Sequence, residues 1–122
     1  MREIKFRGKY KNKWVYGYFY EECENAYIIE NLNKKDLLHR NCSYRVDSNT
    51  IGQFTGLKDK NGTDIYEGDM LFNDCGVYVC EWDKEYSCFC FKYDKDNRFT
   101  IIQDALISFY IIGNIYDNSD LI

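Results

Sequence analysis

Proline is absent from this sequence of 122 residues, and histidine occurs only once. Without proline, we expect no polyproline segment and no rigid linker between domains. No apolar run approaches the roughly 18 residues that a membrane helix needs, and no signal-type apolar core follows the basic N-terminus. We therefore expect one soluble domain, residues 1–122, with no membrane partner.

Aromatic side chains are abundant, because 12 Tyr, 8 Phe and 2 Trp make up 18% of the chain. Such residues suit the pleated, half-buried surface of a β-sheet. The net charge is −4, which argues against a protein devoted as a whole to nucleic acid. Six cysteines are sparse for this length, and without an export signal we expect reduced thiols.

Strict alternation of side chains marks the first two predicted strands. Residues 3–10 place Ile4, Phe6, Gly8 and Tyr10 on one side, and residues 14–20 return after a polar turn as the second strand of a hairpin. Short helical turns are possible readings of residues 33–41 and 103–109. Further strand candidates are residues 26–32, 50–54, 69–72, 77–82, 87–93, 98–102 and 110–116. This spacing predicts a mainly β meander of short strands with little helix, which is typical of small barrels and sandwiches.

Three glycines and four acidic residues lie in the stretch "GLKDKNGTDIYEGDML", residues 56–71. A calcium loop would need glycine at the sixth place and glutamate at the twelfth, and a phosphate loop would need closely spaced glycines before a helix; the stretch has neither pattern. We instead predict two turns. Asn61-Gly62 forms a hairpin turn pinned by Asp59, and Gly68 gives a bend before Asp69.

Two other groups could in principle carry chemistry. Cys75, Cys80, Cys88 and Cys90 lack the paired spacing of a structural zinc site, so buried inert thiols are the simpler interpretation. His39 lies in a polar connector near Cys42 and Ser43, where a surface position is the simpler interpretation. We therefore predict no metal, no cofactor and no catalytic residue.

A row of basic residues near the N-terminus is the feature that most resembles a binding site. Residues 1–13 contain six basic side chains and one acidic side chain. Lys5, Arg7 and Lys9 alternate along the first strand, beside Tyr16 and Tyr18 of the second. Basic side chains next to exposed aromatic rings can hold phosphates and stack bases. The alternative is a solvated strand face whose lysines prevent edge-to-edge aggregation.

Three blocks together resemble the YopX family of small phage and prophage proteins. They are "IKFRGKYKNKWVYGYF" at the start, "IGQFTGLKDKNGTDIYEGDML" in the middle and "IIGNIYDNSDLI" at the end. The segments 23–48 and 73–100 carry no family signature. The resemblance implies a barrel-like β fold with a short capping helix, assembly into oligomers and expression in the cytoplasm of a bacterial host cell. It implies no catalytic activity.

The sequence therefore suggests a phage accessory or regulatory protein that acts by protein–protein binding and self-assembly. Surplus aromatic residues would form contacts between subunits or with a host or phage protein. The alternative is binding of nucleic acid or a small nucleotide through the basic residues of the first strand.

Overall fold

The structure, a computed structural model, describes residues 3–30, 42–94, 97–100 and 108–118. Within these ranges there is no α-helix, and none that could cross a membrane. The segments predicted to be helical, 33–41 and most of 103–109, fall outside the described residues, so the predicted capping helix is not seen. The strands, in chain order, are β1 (Phe6–Tyr10), β2 (Lys13–Glu22), β3 (Asn25–Glu30), β4 (Cys42–Lys58), β5 (Asp64–Tyr66), β6 (Asp69–Asn73), β7 (Gly76–Asp83), β8 (Cys88–Lys92), β9 (Arg98–Thr100) and β10 (Tyr110–Asn114).

The chain divides into two compact units, residues 1–53 and 54–122, and β4 contributes residues to both. The first unit has ten basic and seven acidic residues, whereas the second has six and thirteen. The two units therefore carry net charges of opposite sign. The prediction of a single domain spans both units and stays a prediction.

In the first unit, four strands pair in a closed ring. β1 pairs with β2, β2 with β3 and β3 with β4, all antiparallel. β4 then continues along β1, where Phe6 lies opposite Gln53. β1 and β3 thus have a partner strand on each edge, whereas β2 and β4 each pair with one neighbour along one half and with the other neighbour along the second half, as in a small barrel. The mainly β, barrel-like prediction is confirmed for this unit.

Two tight turns set the register of this ring. Lys11 and Asn12 connect β1 to β2 with φ values of 47° and 67°, and Cys23 and Glu24 connect β2 to β3 with 50° and 66°. Two consecutive residues with positive φ are typical of type I′ turns, whose twist matches that of the flanking strands. Each turn therefore keeps the alternation of side chains in phase between neighbouring strands.

The core of the first unit lies on one face of these strands. Val15, Ala26, Ile28 and Val46 are buried there, and partly buried Phe19 packs against them. Because side chains alternate along a strand, Trp14, Tyr16 and Tyr18 must point to the opposite face of β2. The core thus determines which aromatic residues of the hairpin face outward.

The second unit is built on a five-stranded antiparallel sheet in the order β10-β6-β7-β8-β9. The consecutive pairing of β6 to β9 confirms the predicted meander. One face of the sheet supplies a core cluster that contains Ile65, Leu71, Tyr78, Cys80 and Phe91. Truncating a fully buried residue such as Leu71 to alanine costs about 2–5 kcal/mol in comparable cores.

Asp59 fixes the turn between β4 and β5. Its Oδ1 accepts hydrogen bonds from the backbone N–H groups of Asn61 and Thr63, both at 2.9 Å, and the carboxylate is 7% exposed. Gly62 has a φ of 82° and donates its N–H to the Asp59 carbonyl oxygen at 3.0 Å. Asn61 is not among the described residues with positive φ, so Gly62 alone adopts the left-handed conformation in this turn.

Gly68 bends the chain between β5 and β6. Its φ is 95°, a conformation in which a Cβ atom is penalised. Its N–H donates to the Cys80 carbonyl oxygen at 2.8 Å, and its carbonyl oxygen accepts from Ile115 N–H at 2.9 Å. The adjacent Asp69 is 2% exposed and accepts a hydrogen bond from Tyr66 N–H at 2.7 Å. Residues 56–71 therefore form two turns that are tied to the rest of their unit.

Candidate interaction surface

The outward side of the β2–β3 hairpin is a continuous row of rings. We call this surface the outer aromatic face; it consists of Trp14, Tyr16, Tyr18 and Tyr20 on β2 and of Tyr27 and Ile29 on β3. Tyr16 is 44% exposed and Tyr18 is 50% exposed. Tyr18 lies directly opposite Ile29 in the strand register, so the exposed apolar surface continues from β2 onto β3.

One end of the outer aromatic face is held rigid by its own contacts. The rings of Tyr20 and Tyr27 stack with centroids 4.9 Å apart and an interplanar angle of 11°. The Tyr20 hydroxyl lies 3.0 Å from Ser43 Oγ, and the two share a hydrogen bond. Aromatic residues with few rotatable bonds that are already fixed lose little entropy when a partner binds.

The other end carries positive charge that lies against an indole ring. The Arg7 guanidinium is 4.5 Å and the Lys9 ammonium is 5.0 Å from the centroid of Trp14. These are cation–π distances, and Trp14 lies opposite Lys9 in the register. Arg7 is only 5% exposed. The alternative interpretation, a solvated strand face, does not hold for Arg7, because its guanidinium lies against the Trp14 ring.

The basic row is also shorter than the six basic side chains of residues 1–13 indicate. The chain reverses at Lys11 and Asn12, and the Lys11 ammonium lies 5.2 Å from the ring centroid of Tyr10. Lys5 forms an ion pair with Glu3 at 3.6 Å. The structure thus brings Lys9 and Arg7 together on Trp14, whereas Lys11 follows the turn and does not extend the row.

The cysteines of the second unit lie on different faces of the sheet. Cys80 is opposite Phe91 and belongs to the core cluster, whereas Cys90 is opposite Glu81 on the other face. Burial, followed by the nearby Glu81 and Asp83 carboxylates, raises the pKa of the Cys90 thiol. Within the described ranges, no three His, Cys, Asp or Glu side chains converge as metal ligands. His39 lies outside the described residues.

Sequence reasoning missed the β3 half of the outer aromatic face. The alternation in "NAYIIE" contains the signal, since Ala26 and Ile28 are buried and Tyr27 and Ile29 therefore point outward. It also missed a cavity in the second unit beside Asp83, where only a polar turn was expected.

Comparison with known proteins agrees with this architecture. Residues 5–122 match the YopX protein family. The chain belongs to the YopX family. A solved structure with a similar fold is protein EF1440 from Enterococcus faecalis, with 23% sequence identity, a TM-score of 0.69 and 99% coverage of each chain. At that identity the likeness shows the fold alone. No curated protein matches the sequence.

Proposed function

We propose that this YopX protein is a phage or prophage accessory protein that acts by protein–protein binding and self-assembly, without catalysis. One observation carries the proposal: Tyr16 and Tyr18 are about half exposed on a hairpin whose other face already forms the core. Exposed contiguous aromatic surface is typical of protein interfaces, where tyrosine is enriched.

The size of the surface indicates how far such a contact must extend. A large aromatic side chain buries about 150–250 Å², so two half-exposed tyrosines leave roughly 200 Å² to be covered. A stable interface buries about 800 Å² on each partner. The contact must therefore extend to Ile29 of β3 and to Arg45 of β4, which lie on the same outward side. A second copy of this chain would offer the same face, as a twofold interface requires.

Nucleic acid is a weaker alternative occupant. The Arg7 guanidinium is buried against Trp14 and so offers little surface to a phosphate. The Trp14 ring is therefore already in contact with Arg7 and Lys9, and the Tyr20 ring is stacked on Tyr27. Tyr16 and Tyr18 are about half exposed, and base stacking normally also needs a positively charged groove along the nucleic-acid strand. Protein contact therefore fits this surface better.

The test compares two tyrosine-to-glutamate variants that start from equal exposure. Tyr18 lies on the outer aromatic face and Tyr93 lies in the second unit, and each is 50% exposed. Light scattering across micromolar concentrations, after nuclease treatment, should give an oligomeric mass for the native protein and for Tyr93→Glu. Tyr18→Glu should shift the mass toward the monomer while its circular dichroism stays native.

Other outcomes would count against the proposal. A monomeric native protein would rule out self-assembly. Equal dissociation of both variants would rule out the outer aromatic face as the site of self-assembly. Polynucleotide that co-purifies without nuclease treatment and is lost in Lys9→Glu would favour the alternative. A pull-down from infected bacterial lysate, with the native protein against Tyr18→Glu, would identify a host or phage partner in the proposed cytoplasmic location.

A further inference from the structure

A cavity of about 490 Å³ opens on the second unit, beside the β7–β8 hairpin. Its lining is contributed by the hairpin residues Asp83, Glu85 and Tyr86, by the thiols of β8, and by Arg98 and Phe99 of β9. Because Cys90 lies opposite Glu81, this face of the sheet is the one turned away from the core cluster. The volume is within the range of about 300–1,000 Å³ that small-molecule sites occupy.

Asp83 places a buried carboxylate in the cavity wall. The residue is 5% exposed. Its Oδ1 accepts hydrogen bonds from the backbone N–H groups of Glu85 at 2.9 Å and Tyr86 at 3.3 Å. Among the described residues, the contact of Oδ2 is Arg98 Nη1 at 3.9 Å, which is too long for a hydrogen bond. A carboxylate offers about four acceptor positions, so Oδ2, which Arg98 approaches only at ion-pair distance, can accept a further N–H donor.

Arg98 neutralises this site only loosely. Its side chain is 41% exposed, and its Nε lies 3.6 Å from Glu81 Oε1. One guanidinium thus serves two carboxylates at ion-pair distances without a short contact to either, while Glu85 adds a third negative charge at the cavity. The balance of charge at the cavity is therefore negative, which favours a cation over an anion.

One exposed ring borders the cavity, that of Tyr86, which is 73% exposed. The Phe99 ring lies on the other face of the sheet, opposite Phe91 and 6.1 Å from the Tyr78 ring centroid. The faces of aromatic rings attract organic cations, and ring walls also cover the alkyl carbons of such ligands. Carboxylates combined with aromatic rings are less suited to a bare metal ion, and no metal-ligand cluster is found among the described residues.

We propose that this cavity binds a small organic cation that carries a primary ammonium or guanidinium group. Asp83 Oδ2 accepts a hydrogen bond from the cation, and the Tyr86 ring covers its alkyl part. Arg98 is then a competitor that occupies the carboxylates when the ligand is absent. The proposal does not depend on the outer aromatic face, which belongs to the other unit.

Calorimetric titration with agmatine tests the site, with 1,4-butanediol as the neutral control and inorganic phosphate as the anionic control. Agmatine should bind saturably and the two controls should not. Asp83→Asn should weaken agmatine binding by about tenfold or more, because a charge-assisted hydrogen bond is lost; asparagine keeps Oδ1 as acceptor for the turn. Glu24→Gln, an exposed acid in the first unit, should bind as the native protein does.

Arg98→Ala gives the result that separates the alternatives. If Arg98 competes with the ligand, its removal should tighten agmatine binding several-fold. If the cavity is an anion site, phosphate should bind the native protein and Arg98→Ala should abolish that binding, which would overturn the proposal. Absence of agmatine binding, or tighter binding of an arginine-containing tripeptide than of agmatine, would also overturn it.

Thiol labelling supplies a second readout. Cys88 is half-buried in the cavity lining, whereas Cys23 and Cys75 are exposed elsewhere. Saturating agmatine should slow iodoacetamide labelling of Cys88, measured by peptide mass spectrometry, and should leave labelling of Cys23 and Cys75 unchanged. Equal rates at Cys88 with and without agmatine would place the ligand outside this cavity.

Discussion

Replacing Asp59 should destabilise the second unit more than any other single change in its turns. The Asp59 carboxylate accepts three backbone hydrogen bonds of 2.9 Å, from Asn61, Thr63 and Ile111. The Ile111 bond joins the turn to β10, 52 residues away in the chain. A neighbouring hydrogen bond, from Lys60 N–H to the Phe109 carbonyl oxygen at 2.8 Å, depends on the same close approach between the turn and the start of β10.

The magnitude follows from which donors can find water. Hydrogen bonds to a charged acceptor contribute about 1.5–3 kcal/mol each, and the terms are not additive. Asn61 and Thr63 are exposed, so their N–H groups can be hydrated once the carboxylate is removed. Ile111 is half-buried and would lose most of its bond. We therefore expect Asp59→Ala to lower the free energy of unfolding by about 3 kcal/mol.

Asp59→Asn removes one of the two acceptor oxygens. The remaining side-chain oxygen can accept from the turn or from Ile111, and the NH₂ group that replaces the other oxygen cannot accept a hydrogen bond. We expect a loss of about 2 kcal/mol. The control within the same unit is Asn73→Ala, because the Asn73 side-chain oxygen accepts one local bond, from the N–H of exposed Cys75 at 2.9 Å, and its loss should cost less than about 1 kcal/mol.

Urea denaturation provides the assay. Each unit contains one tryptophan, Trp14 in the first and Trp82 in the second. In a Trp14→Phe background common to all variants, the fluorescence of Trp82 reports unfolding of the unit that contains Asp59. A midpoint for Asp59→Ala within experimental error of the Asn73→Ala value would refute the view that Asp59 anchors β10.

Two further predictions concern single residues of the second unit. Gly68→Ala should lower the free energy of unfolding by about 1 kcal/mol or more in the same assay, because Gly68 has a φ of 95°; an unchanged midpoint would contradict the strained bend. Burial, followed by the nearby Cys75 and Tyr93 groups, raises the pKa of the Tyr78 hydroxyl. Because the unfolded chain then loses the hydroxyl proton at a lower pH than the folded chain, stability should fall as the pH rises above about 10. Tyr78→Phe should flatten that alkaline decline relative to its own neutral stability, and an equally steep decline would show that other groups cause it.

Local periodicity predicted the first hairpin and the meander, but it failed where distant strands decide the structure. Residues 42–49 form the first half of β4, although only Tyr44 and Val46 mark its inward face. That signal is too short to recognise, and the strand is stabilised by pairing with β3 and β1. The turn at Cys23 and Glu24 is similar, because neither residue type favours positive φ and the strands on both sides impose it.

The placement of Arg7 shows the same limit for the candidate site. Alternation correctly assigns Arg7 to the outward side, yet a strand in a closed ring has neighbours on both edges. A long side chain there can lie flat across the adjacent residues, and Arg7 covers Trp14. Which side a residue faces was therefore predictable from the sequence, and how much of it water reaches was not.

The blocks that carry the YopX resemblance differ in what they do. Much of the middle block forms turns in which Asp59, Gly62, Gly68 and Asp69 bond to backbone groups, so it specifies the fold and gives no direct information about a ligand. The opening block contains Trp14, Tyr16 and Tyr18 of the outer aromatic face. The cavity beside Asp83 lies within residues 73–100, where no family block occurs. The proposed protein contact is thus a candidate property of the family, whereas the proposed cation site is a property of this member. Exchanging residues 73–100 for those of another family member should therefore remove agmatine binding and leave the oligomeric mass unchanged.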